Sequence, residues 1–241
     1  MFFRSTTPKP PHIPPEGLEN VRVVRSGTAR RVALRVDPAR GEICLVVPKR
    51  ASEKTAWRFA DANREWIDAH LAKLEKPVPL AHGSVLPVFG RDRLIVVTLG
   101  TGRVTHCTLN DTTLAVSTPR PDPASNIRRY LYRILETRLR PLAETKSQRI
   151  ERSVQGIQLR DTRARWGSCS PDGRLMFCWR LVFTPDHVID YVVAHECAHL
   201  RYMNHSQRFW DLCQSLCEDM DGARAWLSAN GDRLLCYGSP S

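Results

Sequence analysis

Short β-branched runs separated by turn formers fill the first half of the chain: VRVV (21–24), RVALRV (31–36) and EICLVV (42–47), divided by SGT and DPARG. Such runs predict a small antiparallel sheet. After Ser52, a suitable N-cap, apolar residues recur at Ala56, Phe59, Trp66, Ile67, Leu71 and Leu74, a helical spacing that predicts one helix ending before Pro77. LIVVTL (94–99), VTHCTL (104–109) and TLAVS (113–117) follow, broken by LGTG and LND, and predict hairpins. Residues 17–119 therefore read as an antiparallel β-rich region with one helix.

Pro119, Pro121 and Pro123 mark a boundary, after which the pattern becomes helical. Ile127, Leu131, Ile134, Leu135, Leu139 and Leu142 form one stripe, and Pro141 is expected to kink or restart the helix. GIQLRD (156–161) and RLMFCWRLVF (174–183) read as strands. Thr184, as N-cap, and Pro185 then open a helix through Val188, Tyr191, Val192, His195 and His199. Residues 120–236 are expected to be a second, α+β domain. The five prolines in residues 1–16 predict a disordered arm, and 237–241 a tail.

The chemistry concentrates in AHECAHLRYMNHSQRFW (194–210). His195 and His199, one helical turn apart, project from one face and can bind one Zn²⁺, while Glu196 is placed as general base for a metal-activated water. Two kinds of third ligand are open. An acid about twenty residues on, Glu218 or Asp219, gives His₂Glu; His205 gives His₃ with the spacing H-E-x-x-H-x₅-H. Asn204 and Gln207 read as a capping box that starts a new helix and turns His205 back toward the pair. On a continuous helix Glu218 falls about 20 Å further along. His205 is therefore the favoured ligand, with Asn204 expected to supply the left-handed turn that metzincins build with glycine.

Charge modifies this picture modestly. A net charge of +11 admits an anionic partner, and the candidate surface comprises Arg128, Arg129, Arg133, Arg138, Arg140, Lys146, Arg149 and Arg152. The eight cysteines include no C-x-x-C pair, which predicts reduced thiols and no zinc ribbon. No run approaches the roughly 20 apolar residues of a membrane span, and the start lacks a secretory pattern, so the expectation is a soluble cytoplasmic protein with no membrane partner.

Three segments in order, RWGSCS (165–170) with the following DGRLMFCWRLVFTP, IDYVVAHECAHL (189–200) and NHSQRFW (204–210), resemble the YgjP-like metallopeptidase family, also called DUF45 and labelled M48-type. The site pattern is similar to that of SprT and WLM proteases. One departure is Cys178, where the family usually has asparagine. The resemblance implies a zincin-like domain holding zinc through His195, His199 and His205, with Glu196 catalytic and a peptide or protein as substrate. Around it, Arg165 and Tyr202 are candidates for contact with substrate or transition state. Trp166, Ser168 and Cys169 are candidates for the surrounding shell, Cys169 suiting packing better than a fourth zinc ligand. Gly167 is expected to serve a backbone turn. The strand before the metal helix is expected to hold an extended peptide by backbone pairing. The alternatives are a basic nucleic-acid-binding protein with a structural zinc, or a peptidase recruited to DNA-bound proteins.

Overall fold

The computed structural model describes residues 14–238, so residues 1–13 of the expected arm and 239–241 of the expected tail lie outside it. The chain is α+β, in two compact units that divide between Lys76 and Pro77.

In the first unit, strands β1 (Val21–Ser26), β2 (Ala33–Asp37) and β3 (Glu42–Pro48) form a sheet of order β1-β3-β2. β2 and β3 are antiparallel as expected, but β1 runs parallel to β3. β3 takes the centre because Ile43 to Val47 is a continuous buried run, as a strand paired on both sides requires. The expected single helix is two, α1 (Glu53–Asp61) and α2 (Arg64–Leu71). Ser52 caps α1 by accepting the Thr55 amide at 3.1 Å. Ile43, Leu45 and Val47 pack with Ala56, Trp57, Ala60 and Ile67 in this unit's own core.

The second unit opens with β4 (Val85–Val88), β5 (Arg91–Leu99), β6 (His106–Leu109) and β7 (Thr113–Thr118), in the order β4-β5-β7-β6. β5 and β7 are parallel, so the hairpins join β4 to β5 and β6 to β7, not β5 to β6. The first turn uses two left-handed residues, Phe89 (φ 51°) and Gly90 (φ 73°). A Cβ on Gly90 would also lie 3.0 Å from Pro185, so the position needs glycine twice over.

Helix α3 (Ala124–Arg149) passes through Pro141 without restarting. Pro141 and Thr137 are both exposed, so the carbonyl that loses its intrahelical partner faces water. Ile127, Leu131, Leu135, Leu139 and Ala143 are fully buried in one core with Leu86, Ile95, Leu114 and Val116 of the preceding sheet. That shared core is why the units divide at residue 76 and not at the prolines of 119–123.

Next come β8 (Gly156–Arg160), β9 (Gly167–Cys169) and β10 (Arg174–Cys178), in the order β8-β10-β9. The expected strand 174–183 stops at Cys178, and Trp179–Phe183 is a wholly buried 3-10 turn. Three helices complete the unit: α4 (Asp186–His199), α5 (Gln207–Leu216) and α6 (Met220–Leu234).

Helix α4 packs against α3, α5, α6 and β9 and is buried on almost every side, Val188, Ile189, Val193, Ala194, Cys197 and Ala198 being inaccessible. Its N-cap is Pro185, one residue later than expected, because the Thr184 hydroxyl is engaged with the Leu181 carbonyl at 2.8 Å. A buried lysine fastens the assembly: Lys146 of α3 pairs with Asp190 of α4 at 2.6 Å and also donates to the Leu216 carbonyl at the end of α5.

Candidate metal centre

His195 and His199 lie one turn apart near the C-terminal end of α4, and His205 stands on the connection to α5. Their ring nitrogens offer one ligand atom each, all within 4.8 Å of one another. The His195 and His205 Nε2 atoms face each other at 3.2 Å. Two ligands about 2.0–2.1 Å from a tetrahedral zinc are about 3.3 Å apart, so this spacing suits a shared ion.

The orientation of the rings has identifiable causes. His199 Nδ1 lies 3.0 Å from the Tyr202 carbonyl, an acceptor, which puts the proton on Nδ1 and leaves the Nε2 lone pair bare. Phe209, fully buried on the first turns of α5, lies beneath all three imidazoles, with centroid separations of 4.9, 4.5 and 4.7 Å from His195, His199 and His205. Trp210 stacks on His205 at 5.5 Å, and Arg224 of α6 lies 5.1 Å over Trp210. Phe209 and Trp210 thus support the rings directly. Tyr191, edge-on to His195 at 5.9 Å, and Arg224 were given no role by the sequence pattern, and nothing local to them signals one.

Burial, then the neighbouring charges of His199, His205 and Arg224, pushes the His195 pKa down to about 4. Burial likewise lowers that of His199. At neutral pH both are uncharged imidazoles, the form that binds a metal. The buried His195 Nδ1 and Glu196 Oε2 have no hydrogen-bond partner among the described residues. Donor type, protonation and nitrogen spacing fit a metal ion here, and the unpartnered Glu196 oxygen beside them does too.

Glu196, next to His195 on α4, is almost entirely buried. Desolvation raises its pKa to about 8, with Arg165 pulling the other way. Gly167 makes room for it: a Cβ there would fall 2.4 Å from Glu196 Oε1. The expected turn role for Gly167 is not observed; it sits in strand β9 without a positive φ. Gly167→Ala is expected to cost about 1–3 kcal/mol in urea denaturation through overpacking. The cost should largely vanish in a Glu196→Ala background. An equal loss in both backgrounds would show that the carboxylate is not what fills the space.

Several local expectations are corrected. Ser206 is the N-cap of α5, without a side-chain bond, and Gln207 donates forward to Asp211 at 2.8 Å, so no capping box forms. Asn204 has no positive φ, and the exit from α4 turns without a left-handed residue between Leu200 and Ser206. Glu218 is not on α5, which ends at Leu216; it lines a cavity with Asp186, His187 and Asp190 near the other end of α4.

Among the remaining site candidates, Arg165 is exposed, and its charge reaches Glu196. Tyr202 is half-buried and contributes its carbonyl to His199. Trp166 packs at the edge of the core, and Ser168 faces away from α4. Cys169 also packs there; burial, helped by Glu196 and Asp172, raises its thiol to about 11, and its Sγ donates to the Ser170 carbonyl. All eight cysteines are free thiols.

A second cluster, Asp37, Glu42 and Cys44, already holds a cation, because Arg22 pairs with Glu42, lies 3.5 Å from Asp37 and donates to Cys44 Sγ at 3.3 Å. The basic stretch of α3 is also largely engaged within the chain. Arg128 donates to the Gly238 carbonyl, Arg133 covers Tyr130, Arg138 pairs with Asp186, Arg140 with Glu136, and Arg149 donates to the Ser215 carbonyl. No helix among the described residues is long and apolar enough to cross a membrane.

A family model described as "YgjP-like, metallopeptidase domain" matches residues 30–230. No curated protein and no solved structure matches the chain. The matched stretch covers most of the sequence and contains the WGSC strand, Glu196 and all three histidines, and the chain therefore belongs to the YgjP-like metallopeptidase family.

Proposed function

We propose that the chain is a zinc-dependent peptidase of zincin-like design, with zinc held by His195, His199 and His205. The observation that carries this reading is the convergence of three imidazoles, two of them with Nε2 atoms 3.2 Å apart, beside a buried glutamate with an unpartnered oxygen. Zinc bound there would supply Lewis acidity, polarising a carbonyl and acidifying water. Three protein ligands leave room for both, unlike a structural site closed by four.

The chain's own residues supply the rest. Glu196 would accept a proton from the attacking water and return it to the leaving amine, a role open to it once a bound cation offsets the burial that raises its pKa to about 8 and keeps it a carboxylate. Arg165, whose charge reaches Glu196, would be the group that stabilises negative charge on the scissile oxygen; Tyr202 is the second candidate.

Strand β9 suits an extended substrate. Cys178 N bonds to Trp166 O at 2.8 Å and Ser170 N to Arg174 O at 2.9 Å, so the even positions face β10. In an antiparallel pair the alternate residues, Gly167 and Cys169, then turn their amides and carbonyls outward from the sheet edge. A polypeptide pairing with that edge would lie beside Glu196, which touches Gly167.

The test is cleavage of an unfolded polypeptide by the zinc-loaded full chain. Activity is expected to disappear with a chelator and return on adding zinc. Cleavage that persists through complete metal removal would dispose of the reading.

A further inference from the structure

Strand parity gives the β8-β10-β9 sheet two different faces. Ile157, Leu159, Leu175, Phe177 and Cys169 point into the core. The alternate residues form the floor of a trough of about 600 Å³ on the other face, where Gln158, Arg160, Arg165, Ser168, Arg174 and Met176 converge. Among the described residues lining it there is no carboxylate and no aromatic ring.

Two of its three arginines are held at Nε. Arg160 Nε donates to Gln158 Oε1 at 3.0 Å, and Arg174 Nε to Asp172 at 2.8 Å, which leaves the terminal nitrogens of each side chain for a ligand. Asp172, just outside the lining, offsets one of the three positive charges. Arg165 makes no salt bridge among the described residues, although its charge also reaches Glu196. A planar guanidinium fork matches a carboxylate, and Ser168 adds a hydroxyl on the same side, whereas the Ser170 hydroxyl is engaged with Asp172 and the Arg174 backbone.

The position of the trough matters as much as its charge. Ser168 lies on the same strand as Gly167, whose other side touches Glu196. A polypeptide that extends the sheet beyond β9 continues its pleat, so every second side chain, about 6.7 Å apart, points to this face, two strand spacings of about 4.8 Å from Arg174 on β10 and three from Arg160 on β8. A nucleic acid fits less well, because no ring is available for bases to stack on.

We propose that this trough is a specificity subsite for polypeptides with acidic side chains at alternate positions, engaged as the substrate adds a strand to the β9 edge. The proposal rests on the peptidase reading for its strand-addition geometry, and two measurements separate the two ideas.

The first compares, for the zinc-loaded full chain, the kcat/KM of an extended peptide carrying Glu at alternate positions with that of its Gln counterpart. The Glu:Gln ratio is expected to exceed one and to fall about fivefold or more in an Arg160→Glu/Arg174→Glu variant, consistent with loss of exposed charge pairing. It should also decline with added salt. A ratio near one in the parent chain, or one unmoved by the variant, would overturn the proposal.

The second measures binding of the same labelled peptides to zinc-loaded Glu196→Gln protein by fluorescence anisotropy. Tighter binding of the Glu peptide, lost in the arginine variant, supports the trough even if no preparation cleaves anything, in which case the peptidase reading alone fails. Equal affinity for both peptides, or an oligonucleotide bound through Arg160 and Arg174 in place of the acidic peptide, would refute it.

Discussion

Glu196→Gln is expected to lower kcat on an unfolded polypeptide by about 10²–10⁴-fold, the range for losing a positioned general base. The same change is expected to make the metal-free protein more stable. Both effects come from one cause. The fold holds Glu196 in a desolvated pocket where its pKa rises to about 8, whereas the unfolded carboxyl ionises near the ordinary value of 4.5. Stability is therefore undiminished by this group below about pH 4.5. It is progressively lost as pH rises through the interval toward 8, because the unfolded state gives up the proton first. At pH 7 the loss amounts to about 3 kcal/mol, which glutamine, having no proton to lose, avoids.

Denaturation of the two metal-free proteins at pH 4.5 and pH 7 checks this directly. The variant's advantage should be small at the lower pH and large at the higher one. An advantage of equal size at both would trace it to packing instead. Zinc should narrow the gap, since a nearby cation favours the carboxylate.

The second large effect concerns the third ligand. His205→Ala should weaken zinc binding by more than the roughly 10–100-fold typical of losing an outer hydrogen-bond partner, because it removes a donor itself. Glu218→Ala should leave zinc affinity unchanged, as that carboxylate belongs to the cavity with Asp186 and Asp190. Competition with a chromophoric chelator measures both. If the Glu218 variant loses zinc and the His205 variant retains it, the ligand set must be redrawn.

Some of this architecture is readable from local pattern, and some is not. The i, i+4 spacing of His195 and His199 places both on one helix face whatever surrounds them, and Ser52 caps α1 because its hydroxyl meets the Thr55 amide locally. Strand direction is different. The runs that become β1 and β3, or β5 and β7, carry no mark of parallel pairing, which depends on where intervening segments travel. Trp179–Phe183 reads as strand because a short, mostly apolar run has no period to distinguish it, and even its Arg180 is buried, paired with Asp161. Gly167 looked like a turn residue because its real constraint, the Glu196 carboxylate, lies 29 positions away in the sequence. The family resemblance is strongest in the three C-terminal segments and looser over the β pattern and WRFADANREWI (57–67) of the first half, and the family match over 30–230 spans both.

The three histidines are mounted unequally. His195 and His199 are anchored in a helix packed on nearly all sides, while His205 is exposed on the short link between α4 and α5. An ion held by all three would act as a clasp, joining a stiff half of the site to an adjustable one. Its rate of escape would then follow the opening of that link and the unstacking of Trp210, not the loosening of the helix.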